Sequence, residues 1–388
     1  MSMPEPARGF EISEFKTRLA RAQQMMNKAG LTGLLLTTEP EVGYFTGFLT
    51  RFWQSPTRPW FLIVPVAADP IAVIPSIGAQ LMGKSWISDI RTWSAPNPDD
   101  DGISLLADTL REVFPPDAQI GLPMGHETSL RMPLTDFNRL SSKISPLTFT
   151  PAAGIMARLR MIKSEAEIAK ISHACSIANR AFERVHEIAT TDIPLDEVFR
   201  RFQVLCLEEG ADWVAYLAGA AGPSGYGDVI SPATGARLSP GDVLMLDTGL
   251  VHDGYFCDFD RNFAIGQTTG AAAAGHSQLM EAIDAGLSVV KPGITASAVF
   301  HAMDKIVTGG KGHSDAGRLG HGLGMQLTEW PSLIPDDHTV LKQGMVLTLE
   351  PNVQTGSNQI MVHEENIVVT TNGARLLSKL AAPQLEVL

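Results

Sequence analysis

Cysteine is scarce in this chain: three cysteines, at positions 175, 206 and 257, occur among 388 residues. So small an odd number does not provide a disulfide framework and is typical of a reducing compartment. No apolar run approaches the roughly 18 residues of a membrane span, and the N-terminus MSMPEPARGF lacks the basic-then-apolar pattern of a secretory signal. We therefore expect a cytoplasmic protein that does not span a membrane.

Clusters of basic residues are also missing. The chain has 30 Lys and Arg against 42 Asp and Glu, for a net charge of −12, and its basic residues are scattered. This pattern argues against nucleic acid or an anionic membrane as a partner.

What the chain does have is enough apolar sequence, 44% of its residues, for two domains with cores of their own. Helical and strand-like patterns alternate from Ile12 onwards and predict an α/β domain over residues 1–150. A second domain is expected over residues 151–388. Near its start, Ser164 and Glu167 form a capping-box pattern that predicts a long helix within 159–189. Further helices are expected at 195–209 and 275–290, and a flexible glycine-rich loop at 309–324.

The stretch from Gly241 to Gly266 predicts two strands joined by a tight turn at Asp253-Gly254. This turn would place Asp247 opposite Asp260, with Asp258 one diagonal step away on the same face. Three carboxylates on one face raise one another's pKa unless something offsets their charge. A divalent cation and the solvated face of an edge hairpin are the two interpretations, and this stretch alone does not separate them.

Three more candidate ligands follow: His321 in GRLGHGLGMQLTEWP, Glu350 in GMVLTLEP and Glu364 in IMVHEENIVVTTNG. Each glutamate interrupts an apolar, strand-like run, where a buried charge needs a partner. Together with the aspartates they make a mixed oxygen and nitrogen set that suits Mn, Co, Fe or Zn. Bridging carboxylates are typical of hydrolytic sites that hold two metal ions.

The order LDTG, a second aspartate eleven residues later, GHGLG, LTLEP and EENIVVT resembles the pita-bread metallohydrolase family. That family includes methionine aminopeptidase, prolidase, aminopeptidase P and the metal-free enzyme creatinase. The resemblance covers nearly the whole chain and implies an α/β (α+β) protein: a creatinase-like N-terminal domain, then a pita-bread catalytic domain, in a homodimer.

The resemblance also implies roles for individual residues. Asp247 and Asp258 would hold one divalent ion, His321 and Glu350 the other, and Glu364 would bridge the two. Glu350 and His321 are then the catalytic candidates, with Glu350 as the general base. Asp260 stands where relatives commonly carry Thr, and we expect it to support the ligands from behind.

Histidines that the family's peptidases place near the substrate are replaced in this chain. Thr328 stands in LTEWP where relatives have a His, GYGDVISP contains Asp228 and no His, and Gly317 replaces a third. In the N-terminal domain the loop RFWQSPTRPW combines two Arg and two Trp, and the resemblance implies that such a loop covers the partner subunit's site; an ordinary loop packed on its own domain is the alternative. The candidates for substrate contact are Trp53, Arg58, Trp60, Tyr226, Asp228, Thr328, Glu329 and Trp330.

Three functional hypotheses follow. The first is a dinuclear metallohydrolase that cleaves an Xaa-Pro dipeptide or a similar amide. The second is a metal-dependent enzyme of the same fold that acts on a small non-peptide metabolite, either as a dimethylsulfoniopropionate lyase-like enzyme or as a C–N hydrolase. The third is a binding module without activity, which five intact ligands disfavour.

Overall fold

The computed structural model describes residues 5–55, 58–152, 154–311 and 317–388. The chain forms two compact units, one of residues 7–160 and one of residues 1–6 with 161–388. The boundary therefore falls after Arg160 rather than near residue 150. The polar stretch that suggested the earlier boundary forms an edge strand, Thr148–Pro151, of the N-terminal sheet, so the first unit continues beyond it.

The N-terminal unit is a mixed six-stranded sheet with helices, and its strand order is β4-β3-β2-β1-β5-β6. Strands β1, β2 and β3 pair antiparallel, while the outer pairs are parallel. Its elements are α1 (Ile12–Ala29), β1 (Gly33–Leu36), α2 (Glu39–Thr46), β2 (Phe61–Pro65), β3 (Ile71–Pro75), α3 (Ala79–Met82), β4 (Asp89–Trp93), α4 (Ile103–Val113), β5 (Gln119–Leu122), α5 (Leu134–Ile144), β6 (Thr148–Pro151) and α6 (Ile155–Met161). The predicted α/β character is confirmed.

The loop with two Trp and two Arg packs on its own unit. Trp53 and Trp60 are buried, their ring centroids lie 5.6 Å apart, and Phe48 packs against Trp60. The guanidinium of Arg131 lies over the Trp53 ring, and that of Arg58 lies 5.3 Å from the centroid of Phe52. The two indoles therefore belong to a core, as in the alternative interpretation of this loop.

The second unit carries every predicted metal ligand. Its elements are α7 (Glu165–Glu183), α8 (Leu195–Glu208), β7 (Trp213–Pro223), β8 (Asp242–His252), β9 (Tyr255–Phe256), β10 (Phe259–Ala264), α9 (Gly270–Val289), α10 (Ala296–Val307), β11 (His321–Gly322), β12 (Glu329–Ser332), β13 (Val346–Leu349), β14 (Asn352–Gly356), β15 (Gln359–Val362), β16 (Glu365–Val369), β17 (Ala374–Leu376) and β18 (Glu386–Val387).

Two five-stranded sheets organise this unit. The first has the order β18-β10-β8-β7, with β9 paired to β8, and the second has the order β12-β11-β13-β16-β17. Helices α9 and α10 bury apolar side chains such as Ile283 and Phe300 in one core with Leu347 and Ile367 of the second sheet. The described residues contain no helix long and apolar enough to cross a membrane.

The local predictions for this unit hold in most places. The Ser164–Glu167 capping box is present and opens α7, which ends at Glu183 rather than near 189. Helix α9 begins at Gly270 instead of Gly275, because the Thr269 side chain caps it by accepting from the backbone N–H of Ala272. The predicted loop at 309–324 lies partly outside the described residues.

Candidate metal centre

The predicted hairpin is present with the predicted register. Asp247 on β8 pairs directly with Asp260 on β10, and the turn residues Asp253 and Gly254 both have positive φ, at 50° and 79°. Asp258 directly precedes β10 and is 3% exposed. The three carboxylates therefore belong to one face of this hairpin, as the period of two requires.

The remaining ligands come from the second sheet. His321 is in β11, Glu350 directly follows β13, and Glu364 directly precedes β16. Asp258, His321 and Glu364 each bring one ligand atom within 4.8 Å of the others, and all three are buried. The structure thus gathers three side chains from separate segments at one place, and the charges of Asp247 and Glu350 act on Asp258 and Glu364 there.

Glycines on both sides of His321 let its backbone approach its neighbours closely. Gly320 has φ 133°, and a Cβ there would lie 2.3 Å from the carbonyl oxygen of Thr348. A Cβ on Gly322 would lie 2.1 Å from the carbonyl oxygen of Trp330. The His321 N–H donates to Thr348 Oγ1 at 3.1 Å, so this short strand is fixed on β13.

The geometry of His321 leaves one ring nitrogen free to act as a ligand. Nδ1 lies 2.8 Å from the carbonyl oxygen of Gly322, which can only accept, so Nδ1 carries the proton. Burial lowers the pKa of His321 to about 4, and the ring is neutral near pH 7. Nε2 then directs a lone pair at Asp258 Oδ2, 3.4 Å away. This nitrogen and this oxygen are both acceptors, and a cation between them would stabilise their close approach.

The pKa values of the carboxyl groups also indicate a bound cation. Burial, reinforced by the neighbouring acids, raises the pKa values of Asp247, Asp258 and Glu364 well above their usual range. Burial and the charge of Asp260 raise the pKa of Glu350 to about 7. Such a cluster holds its full charge near neutral pH only with a counter-charge among its members.

Two oxygens of this cluster fit metal ligation directly. Asp247 Oδ1 and Glu364 Oε1 are buried and have no hydrogen-bond partner among the described residues. Buried polar atoms are almost always satisfied, and each exception asks for an explanation. Divalent cations bound by carboxylates and one imidazole account for both oxygens, and the residues present fit the ions that the sequence implies.

A side chain that the sequence analysis did not single out, Asn366, holds the Asp258 segment in place. Its Oδ1 accepts from the Asp258 N–H at 2.9 Å, and its Nδ2 donates to the Asp258 carbonyl. The Cys175 thiol also lies 3.2 Å from Asn366 Oδ1. Asn366 therefore links β16 to the hairpin just beside a ligand.

Behind the ligands lies a buried chain of charged groups. His363 Nε2 lies 3.1 Å from Glu365 Oε1, and His363 Nδ1 lies 3.2 Å from Asp260 Oδ1, an ion-pair distance without hydrogen-bond alignment. Burial disfavours the charged ring, but these two carboxylates outweigh it and raise the pKa of His363. Burial alone would raise the pKa of Glu365. The charge of Arg261 and the hydrogen bond from His363 outweigh that effect and lower it to about 2. Asp260 Oδ1 accepts the Glu364 N–H at 3.1 Å, so this chain positions a ligand.

Tyr216 on β7 is a second residue that sequence reasoning missed. Its hydroxyl is close enough to Asp247 to oppose the rise that burial causes in the pKa of that carboxyl group. Burial and the surrounding Asp247, Asp258 and Glu364 carboxylates raise its pKa, so the phenol keeps its proton. No local pattern marks this tyrosine, because its relation to the site arises only when β7 pairs with β8.

Three of the residues predicted to contact substrate have structural partners within the protein. The buried Glu329 carboxylate pairs with Lys163 Nζ at 3.1 Å and accepts the N–H groups of Met325 and Gln326. The buried Tyr226 hydroxyl lies 3.2 Å from Asn262 Oδ1 and accepts the Val362 N–H at 2.7 Å. The exposed Asp228 caps its own turn by accepting from Ile230 and Ser231. Each carboxylate or hydroxyl takes part in holding the fold, and substrate contact by these three residues stays a prediction.

Thr328 and Trp330 are half-buried, and they remain candidates. A cavity of about 730 Å³ opens beside Glu350, with Arg318, Asp304, Phe300 and Ile360 among its lining residues. Arg318 contributes the positive field that partly offsets the raised pKa of Glu350 and of Asp258. This cavity is large enough for a small substrate next to the predicted base.

Comparison with known proteins places the chain in a family. Residues 169–372 match metallopeptidase family M24, and residues 18–162 match the creatinase/prolidase N-terminal domain. A probable dipeptidase PepE of Mycobacterium bovis is 26% identical over 371 residues, which is 95% of both chains. An Xaa-Pro dipeptidase of Pyrococcus horikoshii is 30% identical over 259 residues, 66% of this chain and 73% of that protein. The crystal structure of a prolidase from Thermococcus sibiricus has the same fold, with a TM-score of 0.86, 23% identity and full coverage of both chains.

The chain therefore belongs to metallopeptidase family M24. This membership confirms the prediction of a peptidase-like metal hydrolase with a creatinase-like N-terminal domain. It does not favour the lyase or C–N hydrolase that acts on a small metabolite.

Proposed function

We propose that the chain is a dinuclear, metal-dependent dipeptidase that acts on Xaa-Pro dipeptides. The observation that carries this proposal is the buried group of Asp258, His321 and Glu364, with Asp247 and Glu350 near it and with two unmatched oxygens, on Asp247 and Glu364. Relatives named as dipeptidases and Xaa-Pro dipeptidases support the substrate class.

Each residue has a definite task in this proposal. Asp247 and Asp258 would hold one ion, His321 and Glu350 the other, and Glu364 would be shared. When bound, the two ions would lower the pKa of a water molecule and polarise the scissile carbonyl. Glu350 accepts the proton of the attacking water and returns it to the leaving amine. Arg318, which lines the cavity beside Glu350, binds the substrate's carboxylate.

The remaining features of the proposal concern the state of the protein. We propose manganese as the metal, a homodimer as the assembly and the cytoplasm as the location. Three free and buried cysteines are compatible with a reducing compartment. Metal analysis of the purified protein and light scattering after size exclusion test the first two points directly.

The decisive experiment compares metal content and turnover in the same sample. The protein is stripped with a chelator, reloaded with Mn²⁺ and assayed against Ala-Pro, Ala-Ala and N-acetyl-Ala-Pro. We expect two ions per chain and hydrolysis of Ala-Pro. A sample that binds two ions and leaves Ala-Pro intact would contradict the proposed substrate class, whichever of the other two compounds it cleaves. A sample that binds no metal would contradict the site itself.

The Glu350→Gln variant tests the role of the base. We expect turnover of Ala-Pro to fall by about 10²- to 10⁴-fold, the range typical of a lost general base, together with weaker metal binding. Glu281→Gln is the matched control, because Glu281 is exposed on α9. Full activity of Glu350→Gln would remove this residue from the mechanism.

A further inference from the structure

A second group of metal-binding side chains lies at the tip of the β8–β9 hairpin, in the part of the chain that the structure describes. Glu5, His173 and His252 each bring one possible ligand atom within 4.8 Å of the others. None of them belongs to the M24 ligand set, and the last hairpin residue before the turn, His252, is five residues from the nearest of those ligands, Asp247.

Helix α7 positions the two histidines. Three of its side chains, one on each successive turn, contact the hairpin tip. Glu167 accepts from the Tyr255 hydroxyl at 2.9 Å, Lys170 pairs with Asp253, and the His173 ring packs on His252 with centroids 4.5 Å apart. His252 itself is 1% exposed. Both imidazoles are therefore held by anchored elements before any ion binds, which reduces the entropic cost of binding.

The third side chain comes from the N-terminal segment. Glu5 Oε1 lies 3.9 Å from His252 Nε2, and the Glu5 side chain is 61% exposed. Ligands at 2.0–2.1 Å from a tetrahedral zinc ion are about 3.3 Å apart, so closing this gap takes a shift of well under 1 Å. An exposed side chain near the chain terminus can make that shift. The surroundings do not oppose a cation, because the carboxylate of Asp253 compensates the charge of Lys170.

We infer that Glu5, His173 and His252 form a second, non-catalytic site for a zinc-class ion. Two imidazoles and one carboxylate are a ligand set that zinc uses in proteins, with water completing the tetrahedron. Such an ion joins the N-terminal segment to α7 and to the hairpin that also carries Asp247, Asp258 and Asp260. Its role is structural, because His252 is the last residue of β8, five residues beyond Asp247, and none of the three side chains belongs to the proposed catalytic centre.

The test counts zinc ions in the full-length protein. Wild-type protein and the variants Glu5→Gln, His173→Gln and His186→Gln are stripped, equilibrated with Zn²⁺ and dialysed, and zinc per chain is measured. We expect Glu5→Gln and His173→Gln each to lose one ion per chain relative to wild type. His186→Gln is the matched control on an exposed histidine and should keep the wild-type count.

Thermal unfolding gives the second measurement. Zinc should raise the midpoint of the wild type and of His186→Gln by more than that of Glu5→Gln. Because Glu5 is exposed, its substitution does not threaten the fold. Equal zinc counts and equal midpoint shifts in all four proteins would overturn the site. The result is independent of the dipeptidase proposal, since the comparison is a difference between proteins with the same M24 ligands.

Discussion

Burial raises the pKa of Asp247, and the Tyr216 hydroxyl opposes that rise, as a hydrogen-bond donor does, so the loss of this hydroxyl has a measurable consequence. We expect Tyr216→Phe to weaken metal binding by about tenfold or more, as is typical when a group that orients a ligand is lost. Titration of the stripped protein with Mn²⁺ gives the affinity. Tyr255→Phe is the matched control, because the Tyr255 hydroxyl donates to a buried carboxylate, Glu167, that is not a metal ligand. If both variants bind Mn²⁺ equally well, the Tyr216 hydroxyl does not orient Asp247.

At this scale the sequence predicts some residues much better than others. The pairing of Asp247 with Asp260 follows from a local signal, the Asp253-Gly254 turn, and the structure has that pairing. Tyr216 and Asn366 reach the site through strand pairing between distant segments, and no local pattern announces such contacts. Glu329 shows what the sequence leaves out: its place in an EWP phrase indicates substrate contact, and nothing in that phrase predicts the ion pair of its carboxylate with Lys163, 166 residues away.

The loop before β16 depends on the buried chain of Asp260, His363 and Glu365. We expect His363→Leu to destabilise the metal-free protein by about 3–5 kcal/mol, because it leaves two buried carboxylates without their partner. Urea unfolding measures this difference. His301→Leu, at an exposed position of α10, should change the free energy of unfolding by less than about 0.5 kcal/mol. A small effect of His363→Leu would mean that Arg261 and Ser378 suffice to hold Glu365.

Elements with a distinct pattern of their own were predicted, and elements defined by their neighbours were not. The capping box predicts the start of α7. Gly30, in the left-handed conformation, predicts the end of α1. Strand β7 was missed because its LAGAAG segment lacks the branched and aromatic side chains typical of strands. It is a strand because β8 pairs along its whole length.

The whole molecule should respond to pH through its carboxylate cluster. A raised pKa means that the folded protein holds protons that the unfolded chain has already lost, so stability falls as pH rises through the folded values. Asp247, Asp258, Glu350 and Glu364 all contribute in this direction. His321 has the opposite sign, but its contribution is complete above its unfolded pKa of about 6.5.

We therefore expect the metal-free protein to lose stability over the pH range centred on the Glu350 pKa of about 7, and the metal-loaded protein to lose much less. Thermal unfolding of both forms across this range checks the prediction. A metal-free protein whose midpoint is flat over this range would show that the carboxylates relieve their repulsion without taking up protons.

The domain plan is the large-scale feature that the sequence predicted well, since two units with the expected order are present. The polar segment before residue 150 predicts a boundary there, while the structure has β6 and nearly all of α6 before the second unit begins. Polarity alone does not distinguish an edge strand such as Thr148–Pro151 from a connection.

All three thiols are buried, so we expect alkylating reagents to react slowly with the folded chain. Cys257 directly precedes Asp258. Cys175 contacts Asn366, the residue that holds the Asp258 backbone, whereas Cys206 lies on α8. Burial raises the pKa values of all three thiols, which further suppresses their reaction. Modification of Cys257 then proceeds only as fast as the hairpin opens. The rate of Cys257 alkylation, compared with that of Cys206, therefore measures how often the segment beside the metal ligands opens.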